Sequence, residues 1–211
     1  MTAALGLRER KKEQTRLHIA RTARRLFGER GFDAVTIAEI ARAADVSEAT
    51  LFNYFPAKED LYYSGMEAFE AMLVDAVRDR PKGETVLAAF FRVVVENTKR
   101  LAEPQAAHVI AEAAGILAAS AALRAREREI VARYTDELSA VIVETSRNRD
   151  DIEAHAVASA LMGAQRTLVR HLRARVLAGW RGRKLAADAK TQALKILRRL
   201  ASGLNAYAAK R

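Results

Sequence analysis

Cysteine is absent from this chain of 211 residues, and proline occurs only three times. The lack of thiols excludes disulfides, thiolate metal sites and cysteine nucleophiles, and it favours a reducing compartment, so we expect a cytoplasmic protein. No apolar run approaches the roughly 18 residues of a membrane span, and the N-terminus lacks the pattern of a signal peptide. We therefore expect no membrane partner. With few prolines and an excess of Ala, Leu, Arg and Glu, the composition predicts an all-α protein.

The positive charge lies mainly at the two ends of the sequence. The net charge is +10 at pH 7. Residues 1–57 carry 10 basic and 7 acidic side chains, whereas residues 165–211 carry 13 basic and 1 acidic. The segment between them is acidic on balance. This distribution predicts a polyanionic partner for the ends and a different task for the middle.

Apolar residues recur at helical spacing along nearly the whole chain. The pattern predicts about nine helices, beginning with one over 13–30 that Gly31 ends, followed by short helices near 36–44 and 47–55. The longer helices are expected at about 58–79, 86–101, 105–117, 120–147, 151–178 and 186–208. We place a domain boundary near Ala57, which gives a small N-terminal domain (1–57) of three helices and a larger helical domain (58–211).

The two short helices have the marks of a helix-turn-helix. Thr36 and Glu39 have the spacing of a capping box, and Ser47 is an N-cap for the second helix, which Pro56 ends. Asp45 lies in the turn between them, at a position that we expect to need left-handed backbone geometry. Such a pair places its second helix in a DNA major groove.

The run LFGERGFDAVTIAEIARAADVSEATLFNYFPAKEDL, from Leu26 to Leu61, closely resembles the DNA-binding signature of the TetR family. The resemblance implies a helix-turn-helix transcription regulator, usually a repressor, that binds operator DNA as a homodimer and is released by a small-molecule ligand. Past Leu61 the resemblance is one of architecture only.

The resemblance also gives candidate DNA-binding residues: Arg16, Thr36, Ser47, Glu48, Ala49, Thr50, Asn53, Tyr54 and Lys58. By their chemistry, Glu48 is suited to cytosine, Asn53 to adenine and Ala49 to a thymine methyl group. Thr50, Tyr54, Lys58 and the amides at Thr36 are suited to phosphates. Ser47 is expected to be a cap first. A basic cluster over 8–12 precedes the first helix and is either a DNA-binding arm or a solvated tail.

Two positions depart from the family pattern. Asp45 replaces the usual glycine of the turn, at a cost of roughly 1 kcal/mol. Phe52 replaces a tyrosine whose hydroxyl can hold a phosphate, so we do not count Phe52 among the DNA contacts.

The larger domain is expected to hold a dimer interface and an effector site. Apolar stripes on the last two helices predict the interface, although they could instead pack within one subunit. The effector site is expected among the middle helices, where ordinary core packing is the main alternative. Its candidate residues are Met66, Phe69, Phe90, Phe91, Val94, His108, Met162, Gln165 and Arg166. Arginines at positions 166, 170 and 173 share one helix face. This basic face could bind the phosphates of an acyl-CoA effector, could simply be solvated, or could contact DNA nonspecifically.

No sequence pattern indicates catalysis. The chain lacks the G-x-S-x-G, P-loop and H-E-x-x-H motifs, and its four histidines form no pair at metal-ligand spacing. We predict no enzyme activity, no metal site and no cofactor. A DNA-binding factor without an effector remains the alternative. The effector's identity, the operator, the regulated genes and the choice between repressor and activator stay open.

Overall fold

A computed structural model describes residues 6–146 and 150–203 of the chain. In this part of the chain, helices make up the secondary structure and no strand occurs. The all-α prediction is therefore confirmed. The helices are α1 (Leu7–Arg30), α2 (Ile37–Ala43), α3 (Glu48–Tyr54), α4 (Lys58–Arg78), α5 (Val86–Asn97), a 3-10 helix (Thr98–Ala102), α6 (Ala106–Ala119), α7 (Ala121–Thr145), α8 (Asp151–Leu177) and α9 (Gly182–Ala201).

Three helices have a limit that differs from the sequence prediction by four residues or more. Helix α1 begins at Leu7 rather than at residue 13, because the segment RERKKEQ consists of good helix formers and Glu9 accepts a hydrogen bond from the Gly6 amide at 3.3 Å. Helix α5 ends at Asn97 and gives way to 3-10 geometry, ahead of the extended Glu103 that Pro104 requires. Helix α9 begins at Gly182, and positions 204–208 of the predicted helix lie outside the described residues.

The chain divides into two compact units, which do not follow one cut in the sequence. The first contains the described part of Met1–Glu67 together with Gly115–Glu127, and the second contains Ala68–Ala114 and the described part of Arg128–Arg211. Helices α4, α6 and α7 each contribute residues to both units. The functional boundary that we placed near Ala57 remains a prediction.

Apolar side chains from α1, α2 and α3 form the core of the first unit. Phe27, Ile40, Leu51 and Phe55 are at most 1% exposed. Leu26 is also buried, whereas Ile37 is only half-buried. Burial of Leu51 and Phe55 fixes the orientation of α3, so its remaining positions are left to face outward.

The second unit is a helical core built on α4, α5, α7, α8 and α9. Its fully buried members include Leu73, Phe90, Leu138, Leu185 and Ala193. A part of this core joins the 3-10 helix to α8 and α9 through Leu101, Ala107, Val176, Leu185 and Ala189.

Within residues 6–146 and 150–203, no single helix is long and apolar enough to cross a membrane. Only the bent pair Ala106–Ala119 and Ala121–Thr145, taken together, has the length and composition of a span.

Candidate DNA interface

The N-terminus of α2 is capped as the sequence predicts. The Thr36 hydroxyl accepts from the Glu39 amide at 3.3 Å, and Glu39 Oε2 accepts from the Thr36 amide at 2.8 Å. Arg30 Nη1 lies 2.9 Å from the other Glu39 oxygen. The pKa of Glu39 is lowered to about 2, chiefly by the hydrogen bond from the Thr36 backbone. The hydrogen bonds from the Thr36 hydroxyl and from Arg30 lower it further. The Thr36 amide is thus engaged, so a phosphate contact by this amide would have to displace Glu39.

Left-handed geometry is found at Asp45, as predicted. Its φ is +53°, and Asp45 is the only non-glycine residue with positive φ among residues 6–146 and 150–203. The Val46 amide donates to the Ala41 carbonyl at 3.0 Å, and the Asp45 amide donates to the Arg42 carbonyl at 3.2 Å. These two bonds are those of a Schellman motif, in which the residue that follows the cap adopts the left-handed conformation. The motif closes α2 and directs the chain into α3.

Helix α3 turns four side chains outward. Ser47 caps it by accepting from the Thr50 amide at 3.0 Å, and the Ser47 and Thr50 hydroxyls lie 2.8 Å apart. Glu48, Ala49, Phe52 and Asn53 are exposed, whereas Leu51 is fully buried. Positions 48, 49, 52 and 53 lie on one face, because residues three and four apart are neighbours on a helix. Tyr54 is half-buried at the end of the helix.

Two of the predicted basic contacts lie against aromatic rings in the same unit. The Arg16 guanidinium is 5.2 Å from the centroid of Phe55, and Lys58 Nζ is 4.3 Å from the centroid of Phe32. Partial burial lowers the pKa of Lys58. Both side chains are half-buried. Their aliphatic stems are therefore held in place while their cationic ends remain partly accessible to a phosphate.

The basic cluster at 8–12 is part of helix α1. Arg8, Arg10, Lys11 and Lys12 are exposed on its first turns. The predicted arm is therefore helical rather than extended.

The turn between α6 and α7 belongs to the same compact unit as the helix-turn-helix. Ser120 Oγ donates to Asp33 Oδ1 at 2.9 Å, across 87 residues of sequence. Arg126 Nη2 donates to Asp60 Oδ1 at 2.7 Å, and the other Asp60 oxygen accepts from the Ala57 amide at 3.0 Å. These contacts hold the start of α4 and the loop before α2. Sequence analysis missed them because pairing between distant polar residues leaves no periodic signal.

The effector candidates differ in their exposure. Phe90, Phe91, Val94, Met162 and Gln165 are buried, Met66 and Phe69 are half-buried, and His108 and Arg166 are exposed. The oxygen of the Gln165 amide has no hydrogen-bond partner among the described residues. That these residues contact an effector remains a prediction.

An open groove of about 610 Å³ lies between α8 and α9, within the second unit. None of the predicted effector residues lines it. Its lining residues are Thr167, Leu168, His171, Gln192, Lys195, Ile196, Arg198, Arg199, Leu200 and Ser202.

On one side of this groove, His171 and Arg175 contact Asp188. His171 Nε2 lies 2.6 Å from Asp188 Oδ2, and Arg175 Nε lies 3.5 Å from the same oxygen. Burial acts to raise the pKa of Asp188, but the bond from His171, aided by Arg175, lowers it on balance. The residues that line the groove include three large apolar and three basic side chains, namely Leu168, Ile196, Leu200, Lys195, Arg198 and Arg199.

The apolar stripe of α8 is divided between the core and the surface. Leu161 and Leu168 are buried, whereas Ala156, Ala160 and Gly163 are exposed. Ile152 is 84% exposed and Val157 is 37% exposed. The exposed part of the stripe is a face of mostly small residues.

A capped pair of short helices, a left-handed turn and an outward-facing second helix define a helix-turn-helix protein. Residues 19–63 match the model of the family described as "Bacterial regulatory proteins, tetR family". These 45 residues of the chain are therefore similar to the tetR family.

Curated relatives match part of the chain. TcmR, an HTH-type transcriptional regulator of Streptomyces glaucescens, is 36% identical over 97 residues, which cover 44% of this chain and 43% of TcmR. The nucleoid occlusion factor SlmA of Pasteurella multocida is 38% identical over 64 residues, which cover 30% of this chain and 32% of SlmA. The chain thus spans less than half the length of these relatives. By name, TcmR is a transcriptional regulator and SlmA is a nucleoid occlusion factor.

Solved structures share the fold over most of the chain. The fatty acid degradation regulator FadR of Bacillus halodurans has a TM-score of 0.55 and 19% identity, with 99% of this chain and 100% of FadR covered. The TetR-family regulator SCO0857 of Streptomyces coelicolor has a TM-score of 0.53 and 19% identity, with 88% and 94% covered. At such identities the likeness concerns the fold alone.

Proposed function

We propose that this chain is a cytoplasmic transcriptional repressor that binds operator DNA as a homodimer and is released by a small effector. The observation that carries the proposal is the exposed face of α3. Glu48, Ala49 and Asn53 stand clear of the protein on a helix whose opposite side, at Leu51, is fully buried. A helix presented in this way fits a major groove about 12 Å wide, where carboxylate, methyl and amide groups distinguish base pairs.

The DNA-binding proposal is tested by selecting duplexes from a randomised pool with the full chain at physiological salt. We expect an enriched sequence with two-fold symmetry, whose half-sites are about one helical turn or a multiple of it apart. The Asn53→Ala variant should relax base preference in each half-site, while Gln105→Ala, which removes an exposed amide from the turn before α6, should leave it unchanged. A pool without enrichment after repeated rounds would refute the proposal.

The exposed face of α8 supports the homodimer. Ala156, Ala160 and Gly163 present small side chains to solvent, which allows another helix to approach closely, and Ile152 and Val157 add apolar surface. Two copies are also what a two-fold operator requires.

Sedimentation velocity tests this interface. Ala160→Glu should convert a dimer to a monomer, whereas Ala122→Glu, at an exposed alanine of α7, should leave the dimer intact. A dimeric Ala160→Glu variant would show that another face is used.

The groove between α8 and α9 supports release by an amphipathic effector, for which an acyl-CoA is one candidate. Leu168, Ile196 and Leu200 would take an apolar chain, and Lys195 and Arg198 would face its phosphates. The buried and unsatisfied oxygen of Gln165 offers a second position at which an effector could donate a hydrogen bond.

Thermal unfolding with acyl-CoAs of increasing chain length tests this candidate. We expect melting temperatures to rise with chain length, and the rise to be smaller in Lys195→Ala than in Lys190→Ala, an exposed lysine outside the groove. Unchanged melting temperatures throughout would exclude acyl-CoAs. If, in addition, no ligand released the DNA, the second candidate function, a DNA-binding factor without an effector, would be favoured.

For the switch, we propose a population shift. The effector would prefer a dimer in which the two α3 helices are wrongly spaced for successive major grooves. Helix α4 begins in the DNA-binding unit and ends in the other, so it is the proposed route of transmission. The turn between α6 and α7, anchored at Asp33 and Asp60, offers a second route.

A further inference from the structure

Phe52 is a partly exposed aromatic side chain of the DNA-binding unit. It is 45% exposed on α3, and no other phenylalanine, tyrosine or tryptophan is among the large apolar residues that are exposed in the described chain. Its neighbours in sequence behave differently, since Leu51 is fully buried and Phe55 is 1% exposed. Keeping a phenyl ring in water forgoes the burial that stabilises other aromatic residues, so its position calls for a partner outside the chain.

The ring shares its helix face with the residues that are placed to read bases. Phe52 lies three and four positions after Ala49 and Glu48, and the side chain of a helical residue leans over the preceding turn. The ring therefore lies beside the methyl group of Ala49, where no bulkier side chain blocks the approach of a base. Glu48 on one side and Asn53 on the other flank this apolar patch with polar groups.

The chemistry of the patch selects one feature of the major groove. Phosphates and the donor and acceptor edges of bases have nothing to gain from a phenyl ring and a methyl group. The C5-methyl group of thymine is the apolar group that the major groove displays, and aromatic and small apolar side chains contact it.

We propose that Phe52, with Ala49, reads a thymine methyl group in each half-site, and so sets sequence specificity rather than holding the backbone. This inference rests on the proposed DNA-binding function. It departs from the sequence prediction, in which the missing hydroxyl removed position 52 from the DNA contacts.

Replacing thymine by uracil in the selected duplex tests the proposal, since the exchange removes only the methyl group. Each thymine is replaced in turn, and affinity is measured for the wild type, Phe52→Ala and Phe52→Tyr. We expect the wild type to lose affinity about fourfold per methyl group at one position of each half-site, as burial of one such group predicts. Phe52→Ala should bind both duplexes equally, and Phe52→Tyr should retain the discrimination because it retains the ring.

Met72→Ala is the matched control, because Met72 is 46% exposed on α4. This variant should bind the thymine and the uracil duplexes with the affinities of the wild type. Circular dichroism checks that each variant is folded. A wild type that binds the selected duplex but ignores every thymine-to-uracil exchange would overturn the role of Phe52 and leave the DNA-binding proposal standing. Equal discrimination by Phe52→Ala and the wild type would also overturn it. A wild type that binds no duplex would instead refute the function on which the inference rests.

Discussion

At Asp45 we expect glycine to give a more stable protein than alanine, whereas at ordinary helix positions alanine is the more stabilising of the two. With φ at +53°, any residue that carries a Cβ atom is strained there, by roughly 1–2 kcal/mol relative to glycine. Alanine loses about 0.5–1 kcal/mol less conformational entropy than glycine on folding. Together these effects make Asp45→Gly more stable than Asp45→Ala by about 1 kcal/mol.

Ala43→Gly is the internal control, because Ala43 is exposed at the end of α2 and its backbone is helical. Glycine there should cost about 1 kcal/mol. The free energy of unfolding is measured by urea unfolding followed by circular dichroism. The pairs compared are Asp45→Gly with Asp45→Ala, and Ala43→Gly with the wild type. Two exposed positions that are two residues apart should thus respond to glycine with opposite signs. If Asp45→Ala were as stable as Asp45→Gly, the turn would not have the left-handed geometry on which the entry into α3 depends.

Three other predictions concern charged groups of the same unit. Arg126→Ala should lower the free energy of unfolding by about 3 kcal/mol, because it leaves the buried carboxylate of Asp60 without its cation; a loss below about 0.5 kcal/mol in urea unfolding would contradict this. Lys58→Ala should reduce the slope of log affinity against log salt by about 2 per dimer, whereas Lys82→Ala should not change it. An NMR titration should find the Glu39 carboxyl group titrating near pH 2, so that its contribution to stability is complete above its ordinary pKa of 4.5 and is lost as the pH falls through about 2; a midpoint near 4.5 would argue against the capping bonds.

The local elements of the helix-turn-helix could be predicted because their signals are local. Thr36 and Glu39 are three residues apart, and Ser47 directly precedes its helix, so the capping bonds follow from sequence spacing alone. The left-handed turn at Asp45 also followed, since a tight turn there leaves few backbone conformations. Burial of Leu51 and Phe55 came from the helical period.

Other parts could not be predicted because they depend on contacts between distant segments. Nothing near Ser120 in the sequence indicates that it bonds to Asp33, so the place of the turn between α6 and α7 in the N-terminal unit was missed. The groove between α8 and α9 arises from the packing of two helices, and periodicity does not report where such packing leaves space. The sequence prediction left Phe52 out of the DNA contacts because it lacks a hydroxyl group. Its exposure on α3 depends on how the helix is rotated against the core, which the sequence does not show.

Above all, we propose that a dimer of this chain inserts its two α3 helices into successive major grooves. Methylation interference on the selected duplex tests this insertion, because a methyl group on guanine N7 blocks the major groove alone. We expect two regions of interference on one side of the duplex, about one helical turn or a multiple of it apart, with two protein chains bound per duplex. A single region, interference spread evenly along the duplex, or one chain per duplex would contradict it.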